Sequence, residues 1–436
     1  MKILKSLFVL ILLVAGVSFI LSSFSYLPMN LKVRGSNKQD TVLYTDLGRL
    51  VNNSIVIEKE VDLKGKICQI PQGVALTFNG GLLKNGVLEG NDTRVDGDSV
   101  QIFDHIHISG TWEVPYISTK MFVDLSYENA LRELISLSDP RIDNIIVIED
   151  AYYLMSVKEE SEICISLTSN TTLKLHGVIR LLPNVFKTYS IILVKGDNIK
   201  IVGDGTIVGD KDLHTGKTGE WGTGIDFENA RNASVEGLTI KDCWGDCIYV
   251  GRDSKNIVIK DCIIDNGRRQ GISITKADGV TILNCKITNV GGTKPEYAID
   301  LEPNRNSVVD HVLIENVEVV DCVGGFLTTK GKKDVKTKRI GEVVIRNCII
   351  SALSKYPLSI KECESILIEG CKVFGNLNDA SIYTNNSEDV VIRGNIIYMK
   401  DGDPSVNPKV RPIDVVNAKF KKVSDNIVYT YQKRGR

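Results

Sequence analysis

A cysteine returns at the same place in a repeating unit of this chain. Each time it lies between a hydrophobic strand, such as NIVIKDC or EVVIRNC, and a polar turn. Successive members are 19, 23, 37, 26, 23 and 24 residues apart, and an asparagine takes the last turn. Such a period predicts a solenoid of stacked repeats. The members are Cys243, Cys262, Cys285, Cys322, Cys348, Cys371 and Asn395.

Short alternating strands fill each repeat. The repeats open with segments such as GIDF, CIYV, GISI and AIDL, and a second strand such as NIVI, GVTI or EVVI follows. Two or three strands in about 23 residues, with no helix between them, leave few possible architectures. The sequence therefore predicts an all-β fold, a single-stranded right-handed parallel β-helix.

The repeating cysteines are expected to pack inside this β-helix. Coils stack about 4.8 Å apart, so equivalent residues form ladders, and a small polarizable side chain packs well on its own kind. No CxxC or Cys/His spacing indicates zinc, and no dense loop of oxygen ligands indicates calcium. We therefore predict no metal and no cofactor. The preceding residues are expected to form one polar turn ladder: Asp242, Asp261, Asn284, Asp321 and Asn347.

Charge and length indicate the class of protein. The formal net charge is −1, with 53 basic and 54 acidic residues mixed along the chain, so we predict no nucleic-acid partner. The basic runs 330–338 and 433–436 are expected to be a solvated loop and a tail. A solenoid of 436 residues grows by adding coils without enlarging its core cross-section. The sequence leaves the oligomeric state open.

Residues 1–30 are expected to be a signal peptide or an N-terminal membrane anchor. Lys2 and Lys5 precede an apolar run from Leu7 to Leu21, and small residues follow it. This layout is typical of a secretory signal, while the neighbouring apolar residues bring the run near the ~20 needed to span a bilayer. We therefore expect an exported protein that is periplasmic, on the cell surface or secreted, with attachment to the membrane left open.

Two further segments are predicted after the signal. Residues 31–150 are expected to hold irregular N-terminal coils and one capping helix in SYENALRELISLSDP, which Ser126 caps and Pro140 ends. Residues 151–436 are expected to form the regular β-helix. Its insertions LHTGKTGEWGTG, GGTKPEYA and KGKKDVKTKRIGE are expected to lie on one side, where long insertions usually wall a binding groove.

Two carboxylates are expected on one outward strand face. In AIDLEPN, Ile299 and Leu301 face the core, so Asp300 and Glu302 point outward because strand side chains alternate. Their α-carbons are expected about 6.6 Å apart, two steps of about 3.3 Å each. Asp246 is a third candidate catalytic residue, although two coils and three strand positions could hold it more than about 10 Å from Asp300.

Stacking predicts the neighbours of these carboxylates. One outward column is expected to contain Asp226, Tyr249, Ser273 and Asp300, beside a turn column of Thr223, Asp246, Gln270 and Tyr297. The turn DNGRRQ adds two arginines, which would serve either as substrate contacts or as a structural turn. A polar cleft of this kind suits a carbohydrate. The predicted substrate-binding residues are Arg268, Arg269, Gln270, Tyr297, Tyr249, Asp226 and Lys330.

These segments resemble the polygalacturonases (glycoside hydrolase family 28) and the wider pectate-lyase-like β-helix proteins. The likeness covers most of Thr41 to Tyr431 in architecture and is strongest over Gly222 to Gly331. TGIDFENARNASVEGLTI, WGDCIYVGRDSKNIVIKDC and RRQGISI look like that family's Asn-Thr-Asp, Gly-Asp-Asp and Gly-His-Gly coils, and AIDLEP occupies the place of its Arg-Ile-Lys. The resemblance implies the fold and a carbohydrate substrate.

Most of that family's reactive residues are replaced here. Asp246 matches an aspartate of the family. The replacements are Thr223 and Gly245 for two aspartates, Gln270 for the histidine, and Asp300 and Glu302 for the arginine and lysine. These replacements argue against the polygalacturonase mechanism. They also argue against galacturonate as the substrate unless Arg268 and Arg269 have taken over the lost positive charge.

Three functions follow from the sequence. The preferred hypothesis is a glycoside hydrolase acting on a polysaccharide or oligosaccharide, because glycosidic cleavage commonly needs one protonated and one ionised carboxyl. Close carboxylates repel, which raises one pKa and separates their roles. The first alternative is a polysaccharide lyase or uronate epimerase, with arginine, lysine or tyrosine as its reactive groups. The second is a non-catalytic glycan-binding or adhesive β-helix protein.

Overall fold

The computed structural model describes residues 41–97, 100–331, 335–375, 380–401 and 411–432. The chain divides into residues 1–41 and a compact unit from Val42 to Arg436. The predicted signal or anchor, residues 1–30, lies outside the described residues. No helix in the described ranges is long and apolar enough to cross a membrane.

The predicted parallel β-helix is confirmed, with three strands in each regular coil. Sheet A consists of Glu162–Leu167, Thr188–Asp197, the first part of Trp221–Glu236, Asp246–Gly251, Gln270–Ile274, Tyr297–Leu301, Gly324–Thr328, Leu358–Lys361, Ile382–Asn385 and Ile413–Val416. Sheet B consists of Tyr116–Ser118, Asn144–Ile148, Thr171–Leu175, Lys200–Gly203, the last part of Trp221–Glu236, Ser254–Lys260, Ala277–Leu283, Val308–Glu315, Arg339–Arg346, Cys363–Glu369, Asp389–Arg393 and Phe420–Ser424. Sheet C consists of Tyr152–Met155, Val178–Leu181, Thr206–Val208, Thr239–Lys241, Ile263–Asp265, Lys286–Thr288, Glu318–Cys322, Ile349–Ala352, Lys372–Phe374, Ile396–Asp401 and Ile427–Gln432.

The N-terminal coils form a separate eight-stranded sheet. The strand Leu82–Gly97 pairs in parallel with four of its neighbours, and Arg49–Val51 forms an antiparallel hairpin with Ser54–Ile57. Large buried side chains, including Phe103 and Trp112, fill its interior. The strands are Thr41–Val42, Arg49–Val51, Ser54–Ile57, Glu60–Asp62, Ile67–Gln69, Ala75–Phe78, Leu82–Gly97 and Phe103–Glu113. Short 3-10 helices occur here at Tyr44–Asp46 and Thr119–Met121, and another occurs far along the chain at Val335–Thr337.

The predicted capping helix exists but is shorter than the sequence suggested. It spans Leu131–Ile135, and Ala130, not Ser126, occupies its N-cap. The Ser126 amide instead donates to Asp124 Oδ1 at 2.7 Å, which makes a local turn. The helix ends at Ile135, before Pro140, so the predicted bounds were wrong at both ends.

The helix meets a strand on each side. Arg132 Nε donates to the Cys164 carbonyl at 3.0 Å, and Glu133 Oε2 accepts from the Ile108 amide at 2.8 Å. These bonds satisfy backbone groups that the strands Glu162–Leu167 and Phe103–Glu113 leave free, which limits their exposed edges. A role in capping the whole solenoid stays a prediction.

The repeating cysteines occupy two columns, not the one that we predicted. The register pairs Lys260 with Leu283 and Arg346 with Glu369, so the cysteines two positions later stack between sheets B and C. Cys243 instead follows a strand of sheet C and Cys322 is the last residue of another, where Lys241, Asp265, Thr288 and Val320 are in register. The irregular intervals of 19 and 37 residues reflect this change of column. The first column contains Cys262, Cys285, Cys348, Cys371 and Asn395, all at most 2% exposed.

The polar turn residues likewise form two ladders. Asn284 Nδ2 donates to Asp261 Oδ1 at 2.9 Å in one, and Asn266 Nδ2 donates to Asp242 Oδ1 at 2.7 Å in the other. All four residues have φ between 54° and 56°, in the left-handed region. Asp and Asn tolerate that region better than most residues, which explains why they recur at both corners of the coil.

Two of the three long insertions lie at one edge of sheet A and the third lies at the other. Residues 209–220 and 289–296 precede sheet A strands, whereas the described residues of the third insertion, 329–331 and 335–338, follow the strand Gly324–Thr328. The three insertions therefore border the same sheet, although they lie at both of its edges. The insertions flank the outward face of sheet A, and the candidate site lies on that face.

Candidate functional site

The outward column predicted from stacking is present in sheet A. Asp226 is in register with Tyr249, Tyr249 with Ser273, and Ser273 with Asp300. On the turn side, Asp246 is in register with Gln270, and Gln270 with Tyr297. We call the outward surface formed by Asp226, Asp246, Asp300 and Glu302 the carboxylate face.

Asp300 is the most deeply buried member of this face, at 2% exposed. Gln270 Nε2 donates to its Oδ2 at 2.6 Å, and its Oδ1 is buried without a hydrogen-bond partner in the described chain. Burial and the neighbouring Glu302 raise the pKa of Asp300 well above its usual value, against the lowering effect of Arg269. Burial and the neighbouring carboxyl thus favour the protonated form of Asp300.

Glu302 follows Asp300 on the same face and is half-buried. It lies near Gly331 in the third insertion, since a Cβ added to Gly331 would stand 2.8 Å from Glu302 Oε1. Gly331 also has φ +65°, which a residue with a side chain rarely adopts. The close approach of this loop thus confines Glu302 beside Asp300.

Asp246 is held by an arginine. Arg269 Nη1 donates to both of its carboxylate oxygens, at 3.1 and 2.8 Å, and Asp246 is 3% exposed. Burial raises the pKa of Asp246, while Arg269 opposes the rise. Asp246 also contributes to the raised pKa of Asp300, so the two carboxyls interact despite the separation expected from their coils.

Asp226 is the third carboxyl of the carboxylate face whose pKa is raised, after Asp300 and Asp246. Ser190 Oγ donates to its Oδ2 at 3.0 Å, and its Oδ1 has no hydrogen-bond partner in the described ranges. Burial, reinforced by Glu228, raises the pKa of Asp226 to about 7. Arg252 Nε lies 2.6 Å from Glu228 Oε1 and keeps that second carboxylate paired.

Arg268 belongs to an aromatic stack that the sequence did not predict. Its guanidinium lies 3.6 Å from the Trp244 ring centroid, and His214 stacks on the opposite side of Trp244 with a 3.9 Å centroid distance. Arg268 Nη1 donates to the carbonyls of Gly219 and Trp244, so this arginine fixes the insertion 209–220. His214 and Trp244 are 30 residues apart, which leaves no local spacing to indicate their contact.

Asp210 anchors the base of this stack. Its Oδ2 lies 2.8 Å from His214 Nδ1, and its Oδ1 accepts from the Tyr189 hydroxyl at 2.5 Å. Asn184 donates twice more to Oδ2, through its backbone amide and its side chain. These contacts hold the insertion against the wall of the β-helix, at the edge of the carboxylate face.

The other predicted binding residues have mixed placements. The Tyr249 hydroxyl lies 2.6 Å from Thr275 Oγ1 on the same face. Tyr297 is 7% exposed, and its ring lies over the next coil, where Gly324 leaves room for it. Gln270 is fully buried, with its amide used by Tyr297 and Asp300. Lys330 is half-buried on the opposite loop, and its amide donates to Glu362 Oε2 at 2.6 Å.

Unpartnered buried polar atoms concentrate on this face. Asp226 Oδ1, Arg269 Nε and Asp300 Oδ1 all lack a hydrogen bond within the described part of the chain. Such atoms are rare in folded proteins, so each of them requires an explanation. No group of three or more His, Cys, Asp or Glu in the described residues is arranged to hold a metal.

A cleft of about 400 Å³ lies away from the carboxylate face, where the sheet B strands Ser254–Lys260, Ala277–Leu283, Val308–Glu315 and Arg339–Arg346 begin. Four of its charged side chains are paired with one another: Lys276 Nζ lies 2.6 Å from Asp253 Oδ2, and Arg339 Nη1 lies 2.7 Å from Asp310 Oδ2. It contains no buried carboxyl with a raised pKa. We therefore place the candidate site on sheet A.

Three comparisons connect this chain to known proteins. A family model described as right handed beta helix region matches residues 138–306 and 293–430. The uncharacterized protein YclG of Bacillus subtilis strain 168 is 29% identical over 271 residues, which cover 58% of this chain and 41% of YclG. The chain thus spans about two fifths of the length of that relative.

Solved structures give similarities at lower identity. The A-module of mannuronan C-5 epimerase AlgE6 from Azotobacter vinelandii is 14% identical, with a TM-score of 0.48 over 73% of this chain and 100% of that chain. An exopolygalacturonase from Thermotoga maritima is 14% identical, with a TM-score of 0.47 over 70% of this chain and 89% of that chain.

Proposed function

This chain belongs to the right-handed β-helix family, and on that architecture we propose that the carboxylate face cleaves glycosidic bonds. The protein is then a glycoside hydrolase whose substrate is a polysaccharide or oligosaccharide. Asp300 is the general acid and Glu302 is the second carboxyl of the pair. Asp246 and Asp226 complete the polar surface on which the sugar rests.

The state of Asp300 carries this proposal. A general acid must keep its proton at the working pH and must present it to the leaving oxygen. The raised pKa of Asp300 favours the first condition, and its Oδ1, which has no hydrogen-bond partner in the described chain, is the oxygen left to hold the proton. The acid transfers its proton to the glycosidic oxygen while the bond from that oxygen to the anomeric carbon breaks. Glu302 then activates a water or attacks the anomeric carbon, the two uses of a second carboxylate in these enzymes.

The placement of the arginines favours hydrolysis over elimination. A lyase or an epimerase must neutralise a uronate carboxylate before a base removes the adjacent proton. Arg269 is committed to Asp246, and Arg268 donates to backbone carbonyls and stacks on Trp244. Neither arginine offers a free charge to a uronate, whereas carboxylates dominate the face.

A polysaccharide panel tests the proposal, with reducing ends and ultraviolet absorbance recorded together. We expect new reducing ends without an unsaturated product. Asp300→Asn and Glu302→Gln should each lower kcat by about 10²-fold or more, the usual contribution of a positioned acid or base. The matched control is Glu318→Gln, which removes an exposed carboxylate on sheet C and should turn over at the parental rate.

Three results would contradict the assignment. Parental turnover in both Asp300→Asn and Glu302→Gln would remove these residues from the chemistry. An ultraviolet-absorbing product would identify a lyase. Binding of a glycan by the parent protein without any product would favour an adhesive function.

We also propose that the protein works outside the cytoplasm, because residues 1–30 have the layout of an export signal. Expression of the full chain, followed by cell fractionation and N-terminal sequencing, tests this proposal. A shortened N-terminus outside the cytoplasm indicates a cleaved signal, and an intact N-terminus in the membrane fraction indicates an anchor. A full-length protein in the cytoplasm would contradict export.

A further inference from the structure

We propose that Gln270 is a positioning residue that fixes the proton of Asp300 on Oδ1. This inference rests on the proposed role of Asp300 as the general acid. Gln270 does not touch the sugar in this proposal, because its side chain is fully buried behind the carboxylate face. It acts by deciding which of the two buried oxygens of the acid holds the proton.

The orientation of the Gln270 amide follows from its partners. The Tyr297 backbone N–H can only donate, and it lies 2.8 Å from Gln270 Oε1. Oxygen and nitrogen of a glutamine amide are distinguished through such a network. With Oε1 facing Tyr297, the NH₂ group faces Asp300, and Nε2 lies 2.6 Å from Asp300 Oδ2.

The amide orientation determines the site of the acid proton. Asp300 Oδ2 must accept from Gln270 Nε2, because a proton on Oδ2 would place two donors against each other. Asp300 Oδ1 has no partner in the described chain, so a proton there meets no competing donor. The charged groups that act on Asp300 are Glu302, Asp246 and Arg269. Burial and the two neighbouring carboxyls favour the protonated form, and together they outweigh the opposing effect of Arg269. The protonated form therefore carries its hydrogen on Oδ1.

The register explains why residue 270 can perform this task. Gln270 is paired with Tyr297 on the next coil, and Asp300 lies three residues beyond Tyr297 on the same strand. One side chain thus reaches a backbone amide and a carboxyl of the neighbouring coil. Glutamine is neutral at every working pH, whereas a carboxylate at this position would compete with Asp300 for the proton.

Two substitutions at residue 270 test the proposal by kinetics. Gln270→Met keeps the length but removes the donor, so kcat should fall by about tenfold or more at every pH while KM changes less than twofold, since the acid loses its fixed geometry. Gln270→Glu keeps the shape, and its protonated form can still donate to Asp300 Oδ2. Its activity should therefore be lost at neutral pH and recover towards acid pH. Parental kcat and pH profiles in both variants would overturn the proposal.

A spectroscopic readout separates this inference from the proposed function. Infrared difference spectra of the protein at neutral pH, parent minus Asp300→Asn, should show the C=O band of one protonated carboxyl. In Gln270→Met that band should move to higher frequency, because the N–H bond to the carbonyl-like Oδ2 is lost. A missing band, or a band that Gln270→Met leaves unmoved, would refute the proposal whether or not a substrate has been found. A shifted band in a protein without glycan turnover would refute only the catalytic role of Asp300.

Discussion

At the scale of single residues, Asp300 is kept in a state that opposes folding. A buried carboxyl whose pKa is raised must take up a proton on folding whenever the unfolded chain is ionised. Asp300 therefore adds no protonation cost to folding below the unfolded pKa of about 3.9. The cost grows, and the protein loses stability, as the pH rises towards the folded pKa. Sites that store such a cost commonly serve a function.

We predict that Asp300→Asn stabilises the protein at neutral pH. The asparagine keeps the shape of the protonated acid and removes the protonation cost, which is about 1.4 kcal/mol for each pH unit above the unfolded pKa until the folded pKa is reached. Urea unfolding between acid and neutral pH should show a gain that disappears below about pH 4. A loss of stability at neutral pH would contradict the raised pKa.

Asp139→Asn is the matched control of opposite sign. The hydrogen bonds from Arg141 lower the pKa of Asp139, so this carboxylate stabilises the fold at neutral pH and loses that effect in acid. The variant should therefore be less stable than the parent at neutral pH, with the difference shrinking as the pH falls. The two variants together show whether burial of the carboxyl or its pairing with arginine has the larger effect on stability at each site.

At the scale of elements, the buried side chains at the corners of the coil differ in the hydrogen bonds that they make. The column between sheets B and C uses cysteine where the Sγ can donate to a carbonyl, as from Cys262 to Lys260 O at 3.1 Å. Asn395 continues this column with stronger bonds. Its Nδ2 donates to the Ile368 carbonyl at 3.0 Å, and its Oδ1 accepts from the Cys371 amide at 2.8 Å.

We predict that Asn395→Ala is more damaging than Cys348→Ala, although both truncate a buried side chain of the same column. The asparagine variant strands a buried amide and a buried carbonyl, at about 1–3 kcal/mol each. The cysteine variant loses mainly packing, about 1 kcal/mol on the scale of a buried methylene. Urea unfolding of both variants measures the difference. Equal losses would show that Asn395 fills space as cysteine does.

At the scale of the whole molecule, the coils of the solenoid are not equally protected. Ile392 and Ile397 are fully buried, but Val423 and Val428, their partners on the next coil, are 46% and 44% exposed. Core-facing side chains of that coil thus contact solvent. In a solenoid each repeat is stabilised mainly by its neighbours, so opening is expected to spread from such a coil.

We predict that Cys371 reacts with iodoacetamide before Cys262 under native conditions. All ten cysteines are free and buried, so each must be exposed by a local opening before it reacts. Cys371 lies in the same column as Cys262 but nearer the exposed coil. Mass spectrometry of peptides after timed labelling measures the order. Equal rates at the two thiols would indicate that only global unfolding exposes them.

The sequence by itself determined the repeating coil and the faces of its strands. Strand side chains alternate with a period of two, and stacked coils keep register, so local pattern suffices to place Ile299 inside and Asp300 outside. The residues of the outward column were predictable for the same reason. The helix ends were not, because the Ser126 amide has a competing local partner in Asp124.

The tertiary structure alone decided how the site is tuned. Whether Arg269 faces Asp246 or the solvent, and which Asp300 oxygen Gln270 contacts, depend on side chains from different coils. The division of the cysteines into two columns and the stack of His214 on Trp244 also join residues that are distant in sequence. Burial, hydrogen bonding and charge act through space, so the pKa of a carboxyl is set by neighbours that no local sequence pattern specifies.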